Sequence, residues 1–192
     1  MSSVLVPLAE GFEELEAITI VDILRRGQVE VTTAGVEPGP VTASRGTIVI
    51  PDAELDEVLG STFDLIALPG GLPGADHLRD DDRVQRLLRE QAAAGRAVAA
   101  VCAGPKALAA AGLLADRRVT SFPGALDGVD QPGMEYVEEP VVTDGPVTGV
   151  DGTGPVITSR GPGTAMDFAL TLLERLEGRD IRERVEATLQ RP

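Results

Sequence analysis

Short apolar runs and helix-period stretches alternate along most of the chain. Bounded apolar runs predict strands over Ser3–Leu8, Glu30–Ala34, Thr47–Ile50, Asp64–Leu68, Ala97–Val101 and Arg118–Ser121. Helical spacing predicts helices near Phe12–Arg26, Arg83–Ala94, Pro105–Leu114 and Thr164–Glu177, with a short one over Asp180–Leu189. In the 164–177 segment Met166, Leu170, Leu173 and Leu176 recur on one side, the stripe of a helix lying on a sheet. Repeated βα units of this length predict an α/β fold, its mostly parallel sheet covered by helices on both faces. Ligands of such folds bind beyond the carboxyl ends of the strands. The Tyr136–Val156 segment breaks the rhythm. Its valines are separated by Asp144-Gly145, Asp151-Gly152 and Gly154-Pro155, which predict antiparallel ribbons instead of another βα unit.

Length and charge narrow the class of protein. A chain of 192 residues and 20.0 kDa is expected to be a single domain over residues 1–192, large enough to bury a proper core. No apolar stretch approaches a membrane span and no basic segment precedes the first apolar run, so a cytoplasmic protein without membrane partners is expected. A net charge of −14 argues against nucleic acid and anionic lipid as partners. Lys106 is the sole lysine and the other basic residues are arginine, a pattern fitting either a salt-adapted host or a GC-rich genome. No His/Cys cluster has zinc-ligand spacing, and neither a P-loop nor a dinucleotide fingerprint occurs. No cofactor and no metal are therefore expected.

Chemistry converges on Cys102, the single cysteine, which excludes an intramolecular disulfide. It ends the run Ala97–Val101 and is followed by Ala103-Gly104-Pro105, reading as strand, sharp corner and proline-started helix. The plain reading of a lone cysteine is a small buried hydrophobe. The corner favours another: a nucleophile elbow in which free amides and a helix start stabilise thiolate. Gly70 and Gly71 follow the strand ending at Leu68, where their N–H groups are free to face a cleft opposite the cysteine. Glu16 falls between Ile20 and Ile23 on the apolar stripe of its helix. Two readings stay open there: a carboxyl of raised pKa serving the thiol, or a first-turn acid stabilising the helix. His77, the only histidine, is read as a surface residue in preference to a Cys–His partner.

Four segments in order resemble the ThiJ/PfpI superfamily, specifically its DJ-one/YajL branch. They are Ala9-Glu10-Gly11-Phe12-Glu13-Glu14-Leu15-Glu16, Leu68-Pro69-Gly70-Gly71, Val101-Cys102-Ala103-Gly104-Pro105 and Thr158-Ser159-Arg160-Gly161-Pro162-Gly163-Thr164. The resemblance covers nearly the whole chain. It implies a flavodoxin-like, class I glutamine amidotransferase-like three-layer sandwich, a homodimer, and an oxidisable nucleophilic cysteine bonded to a protonated glutamate. Carried over by position, Cys102 is the nucleophile, Glu16 its acid/base partner, and Gly70, Gly71 and Ala103 the oxyanion-hole donors. Arg26 and Arg45 match arginines near the family's site mouth and dimer contact. Ala103 stands where the protease-like branch has histidine, which disfavours peptidase activity. Two departures stand out. Phe122 occupies the place of a histidine before Pro123, and Thr148–Pro155 is extra, expected to lengthen a hairpin.

The resemblance implies a glutathione-independent glyoxalase or protein deglycase acting on methylglyoxal-type dicarbonyls or their adducts. The alternative is a non-enzymatic redox-sensing stress protein or holdase chaperone with an oxidisable Cys102. Another cysteine-dependent hydrolase or hydratase is the third, since Phe122 makes the pocket more apolar.

Overall fold

The computed structural model describes residues 1–145 and 154–191. The chain runs β1 (Ser3–Leu8), α1 (Glu14–Arg26), β2 (Glu30–Gly35), β3 (Val41–Thr42), β4 (Ile48–Val49), β5 (Ala53–Glu54) and α2 (Leu55–Val58). It continues with β6 (Leu65–Leu68), α3 (Gly74–Asp80), α4 (Asp82–Ala93), β7 (Ala97–Val101), α5 (Pro105–Ala110), β8 (Arg118–Val119) and β9 (Glu135–Tyr136). Last come β10 (Val141–Asp144), β11 (Val156–Ser159), a 3-10 turn, α6 (Ala165–Glu177) and α7 (Arg179–Thr188). A seven-stranded sheet has the order β10-β11-β7-β6-β1-β2-β5. Every pairing in it is parallel except β10 with β11.

Strand alternation sends side chains to two separate cores. Val4, Val6 and Leu8 of β1 meet Ile20, Ile23 and Leu24 of α1 and Phe168 and Leu172 of α6. Leu5, from the same strand, packs with Leu78, Val84, Leu88 and Leu108 on the opposite face. The result is a flavodoxin-like three-layer sandwich with α1 and α6 on one side and α2–α5 on the other. Central strands buried on both faces are apolar throughout: β6 reads Leu-Ile-Ala-Leu and β7 reads Ala-Val-Ala-Ala-Val, fully buried. Each fully buried leucine or phenylalanine side chain contributes about 1.5–3 kcal/mol, so the sheet centre is the stiff platform beneath the site. No helix among the described residues is long and apolar enough to cross a membrane.

The peripheral elements depart from the sequence reading. Of Thr47–Ile50, only Ile48–Val49 is strand, and it pairs antiparallel with β3 outside the main sheet. The place beside β2 belongs to β5; Ile48 and Ile50 stay exposed, so their apolar pattern does not mark a core strand. Arg118–Ser121 shortens to β8, paired with β9, because the next amide, from Thr120, donates to the Thr158 hydroxyl at 2.9 Å in place of a ladder carbonyl. The ribbon expected over 136–156 reduces to β10 against β11, and β11 then lies parallel to β7. The extra stretch Thr148–Pro155 lies outside the described residues except for Gly154 and Pro155. Helix α5 stops at Ala110, where the chain turns toward Gly112 at a φ of 76°.

Candidate active site

Chain order around the sheet creates the site. From β1 the chain proceeds to β2 on one side, while β6 and then β7 lie on the other. The carboxyl ends of β1, β6 and β7 therefore deliver three loops to the crevice where the winding reverses. The first loop leads into α1, whose first turn carries Glu16, the second carries Gly70 and Gly71, and the third carries Cys102.

Cys102 has a φ of 62°, left-handed for a residue with a Cβ. The corner is clamped from three sides. Its N–H donates to Ser159 O at 2.9 Å, its carbonyl accepts from the Phe122 N–H at 2.8 Å, and the Gly104 N–H donates to Val101 O at 2.8 Å. The residue is 8% exposed and lines an open cavity. The Gly71 and Ala103 N–H groups favour the ionised form of the thiol, and both residues line the same cavity.

Glu16 is held at the bottom of this crevice with no exposed surface. Helix α1 is fixed there because the Glu13 carboxylate accepts the Glu16 N–H at 2.7 Å, capping the first turn. Glu16 Oε2 accepts the Gly70 N–H at 2.8 Å. Among the described residues its Oε1 accepts no hydrogen bond, which makes it the oxygen where a proton costs least. Burial pushes the Glu16 carboxyl up to about 7, opposed by the Gly70 bond and reinforced by the Glu13 charge. Of the two readings of Glu16, the structure shows the buried carboxyl beside the thiol.

The expected stabilisation of thiolate does not hold while Glu16 is ionised. Burial, then the Glu16 charge and hydrogen bond, push the Cys102 thiol up to about 12, against the Gly71 and Ala103 bonds. The helix that follows is only six residues long, so its start adds less than the sequence suggests. The sign reverses with one proton move. Shifting the thiol proton to Glu16 removes the like charge and turns the carboxyl into a donor to sulfur, with the pair's net charge unchanged.

The remaining sequence candidates separate. Gly70 differs from the other two glycine-loop and corner donors: its N–H donates to Glu16 Oε2, while Gly71 and Ala103 line the cavity. Arg45 lines the cavity mouth with Ser44 and Phe122. Arg26, expected near the site mouth or dimer contact, does not line this cavity. It ends α1, whose opposite end carries Glu16, pairs with Asp22 at 2.7 Å, and borders a surface hollow near Ile181 and Val185. His77 lies on α3 with its Nδ1 3.1 Å from Glu10 O and does not line the cavity, in keeping with a surface role. Sequence reasoning missed Glu13, Leu72 and Lys106, all of which line the cavity. Lys106 was visible as the lone lysine immediately past the Cys-Ala-Gly-Pro corner. Among the described residues no group of His, Cys, Asp and Glu is arranged to hold a metal ion.

By fold the chain is a flavodoxin-like α/β protein with a cysteine at the crest of its parallel sheet. The DJ-1/PfpI family model matches residues 2–175, and the chain belongs to that family. It is 40% identical over 188 residues to the Parkinson disease protein 7 homolog of Danio rerio, covering 96% of this chain and 95% of that protein. It is 39% identical over 169 residues to the glutathione-independent glyoxalase DJR-1.2 of Caenorhabditis elegans, covering 88% and 85%. Protein DJ-1 homolog A of Arabidopsis thaliana matches at 37% identity over 97% of this chain, which spans 46% of that longer protein. The crystal structure of Drosophila melanogaster DJ-1beta superposes with a TM-score of 0.88 at 39% identity, covering 98% of both chains.

Proposed function

We propose that this protein is a cysteine-dependent, glutathione-independent glyoxalase of the carbonyl-stress response in the cytoplasm, with deglycase activity on early glycation adducts. The observation that carries the reading is the left-handed Cys102 lining the cavity with Gly71 and Ala103, and the fully buried Glu16 carboxyl of raised pKa beside it. Similarity to a named glutathione-independent glyoxalase supports the substrate class.

The chemistry follows from that pair. Glu16 takes the thiol proton, and the Cys102 thiolate adds to the aldehyde carbon of methylglyoxal, forming a hemithioacetal. The Gly71 and Ala103 amides hold the developing oxyanion. Glu16 carries the proton from the former aldehyde carbon to the neighbouring carbonyl carbon through an enediol, giving a thioester. Water cleaves the thioester, releasing lactate and regenerating the thiol. No oxidant is consumed. Phe122 cannot move protons, so Glu16 serves every transfer and turnover is expected to be modest. Lactate release by wild type, Cys102→Ser and Glu16→Gln tests this directly. Each substitution is expected to lower kcat/KM at least about 100-fold; equal rates in all three chains would refute the reading.

A second reading rests on the same atoms. A sulfinate at Cys102 would accept from Gly71, Ala103 and protonated Glu16, so the site also suits a redox sensor. Mild peroxide adding two oxygens at Cys102, with no lactate formed by the reduced protein, would favour the sensor.

The family's homodimer is part of the proposal. Leu15 and Ile18 of α1 and Ile48 of β4 are exposed, and the ribbon is tied to α1 by the Ser44 hydroxyl and Arg45 N–H bonding Glu14, at 3.2 and 3.1 Å. A second copy covering this apolar face accounts for it.

A further inference from the structure

Lys106, the sole lysine, is the second residue of α5 and lines the same cavity as Cys102. Its side chain is 22% exposed and is ion-paired to Asp76 of α3. Asp76 Oδ1 also accepts from Arg79 Nη1 at 2.9 Å, while Asp80 takes Arg79 Nε and Nη2 at 2.7 Å each, so two carboxylates meet the two cations. An ammonium has three N–H donors, and only the one to Asp76 is assigned among the described residues. The ion pair fixes the lysine stem against the cavity wall, and the remaining ammonium N–H donors have no acceptor assigned among the described residues.

The rest of the cavity has a matching polarity. Arg45, on its rim, has no carboxylate within ion-pair distance of its side chain among the described residues. Among those residues Glu13 is the only acid lining the cavity, and its Oε2 is spent on the Glu16 N–H. Leu72, Phe122, Pro123 and Pro162 supply an apolar wall between. The volume is about 560 Å³, of which a three-carbon dicarbonyl would fill a small part. Space, an apolar path and a cation together describe the site of a longer carbonyl compound with an anionic end.

We propose that Lys106 forms an anion subsite, and that the preferred substrates are 2-oxoaldehydes whose tail ends in a carboxylate. This substrate class rests on the glyoxalase reading; the subsite itself does not. With 4,5-dioxopentanoate, the Cys102 sulfur bonds to the aldehyde carbon while the distal carboxylate takes Lys106 Nζ. The proton shift and thioester cleavage described above then give 2-hydroxypentanedioate. One water is consumed and one proton released, with no change in overall oxidation level.

Two measurements separate the subsite from the activity. The first is alkylation of Cys102 by anionic iodoacetate and by neutral iodoacetamide, followed by intact mass. The iodoacetate-to-iodoacetamide rate ratio is expected to fall roughly ten-fold in Lys106→Met, to persist in Lys106→Arg and to rise in Asp76→Asn. Opposite signs for the two neutralising substitutions are what a merely structural role would not produce. A ratio that ignores Lys106→Met overturns the subsite. The second is the ratio of kcat/KM for 4,5-dioxopentanoate to that for methylglyoxal, expected to fall by a similar factor in Lys106→Met. An unchanged ratio overturns the substrate class. If alkylation responds but neither dicarbonyl is converted, the subsite stands and the glyoxalase reading falls.

Discussion

Glu16 is the residue on which the site turns, and its protonation sets a pH dependence with a definite sign. Its carboxyl rises from 4.5 to about 7 on folding. A carboxyl raised in the folded state gives its full contribution below the unfolded value and loses it as pH rises through the folded one. Wild type is therefore expected to lose up to roughly 3 kcal/mol between pH 4.5 and about 7, relative to Glu16→Gln. The glutamine keeps an acceptor for the Gly70 N–H and carries no charge to neutralise. Urea midpoints of both chains at pH 5 and pH 8 measure this; equal losses in the two would contradict it. The same substitution removes the like charge beside the sulfur, so thiolate absorbance is expected to appear well below the value of about 12 that Cys102 has beside ionised Glu16. Glu16 was legible in the sequence because a charged side chain stood on an apolar helical stripe. The division of labour between Gly70 and Gly71 was not. Which amide turns to carboxyl and which to sulfur depends on Gly71 adopting a φ of 86° in the assembled crevice.

At the scale of elements, the site is a meeting of three strand ends with almost no spare room. A Cβ on Gly70 would lie 2.6 Å from Cys102 Cβ, 2.9 Å from Ala103 N and 2.9 Å from Glu16 Oε2. Two of those contacts are to the backbone corner or the atom attached to it, so the loop after β6 and the corner after β7 must separate. Gly70→Ala is expected to cost about 2 kcal/mol or more in urea unfolding and to slow alkylation of Cys102 even where the protein is fully folded. A substitution leaving both measurements at wild-type values would show that the loops do not press on each other as the geometry requires. The strands that build this platform were readable because β1, β6 and β7 are buried on both faces, and a short unbroken apolar run between turn residues fits a strand covered on both sides. The margins were not. Helices α2 and α3 have four and seven residues and β5 has two, too short for periodicity to register. The Thr47–Ile50 run carried a strand-like pattern whose isoleucines face outward. Sequence pattern reports apolarity, and only the assembled chain says whether it faces the sheet or another surface.

The whole molecule combines a high net charge with an exposed apolar face, and the two act in opposite directions on association. Each chain carries −14 at neutral pH, so two copies repel one another. Against this stand Leu15, Ile18 and Ile48, grouped by the Glu14 bonds that tie the ribbon to α1. Burying apolar surface is insensitive to screening, whereas the repulsion weakens once the Debye length falls from about 10 Å at 0.1 M salt to about 3 Å at 1 M. Raising KCl over that range is thus expected to tighten the proposed dimer several-fold in sedimentation equilibrium. Ile18→Glu places a further negative charge on the face of each copy and is expected to give a monomer at low salt with its fold intact by circular dichroism. The same substitution on Ile50, which lies beyond the ribbon pair at 79% exposure, serves as a graded comparison. Dimers that weaken as salt rises, or that survive Ile18→Glu unchanged, would place the contact on another surface, one held by charge and not by these side chains.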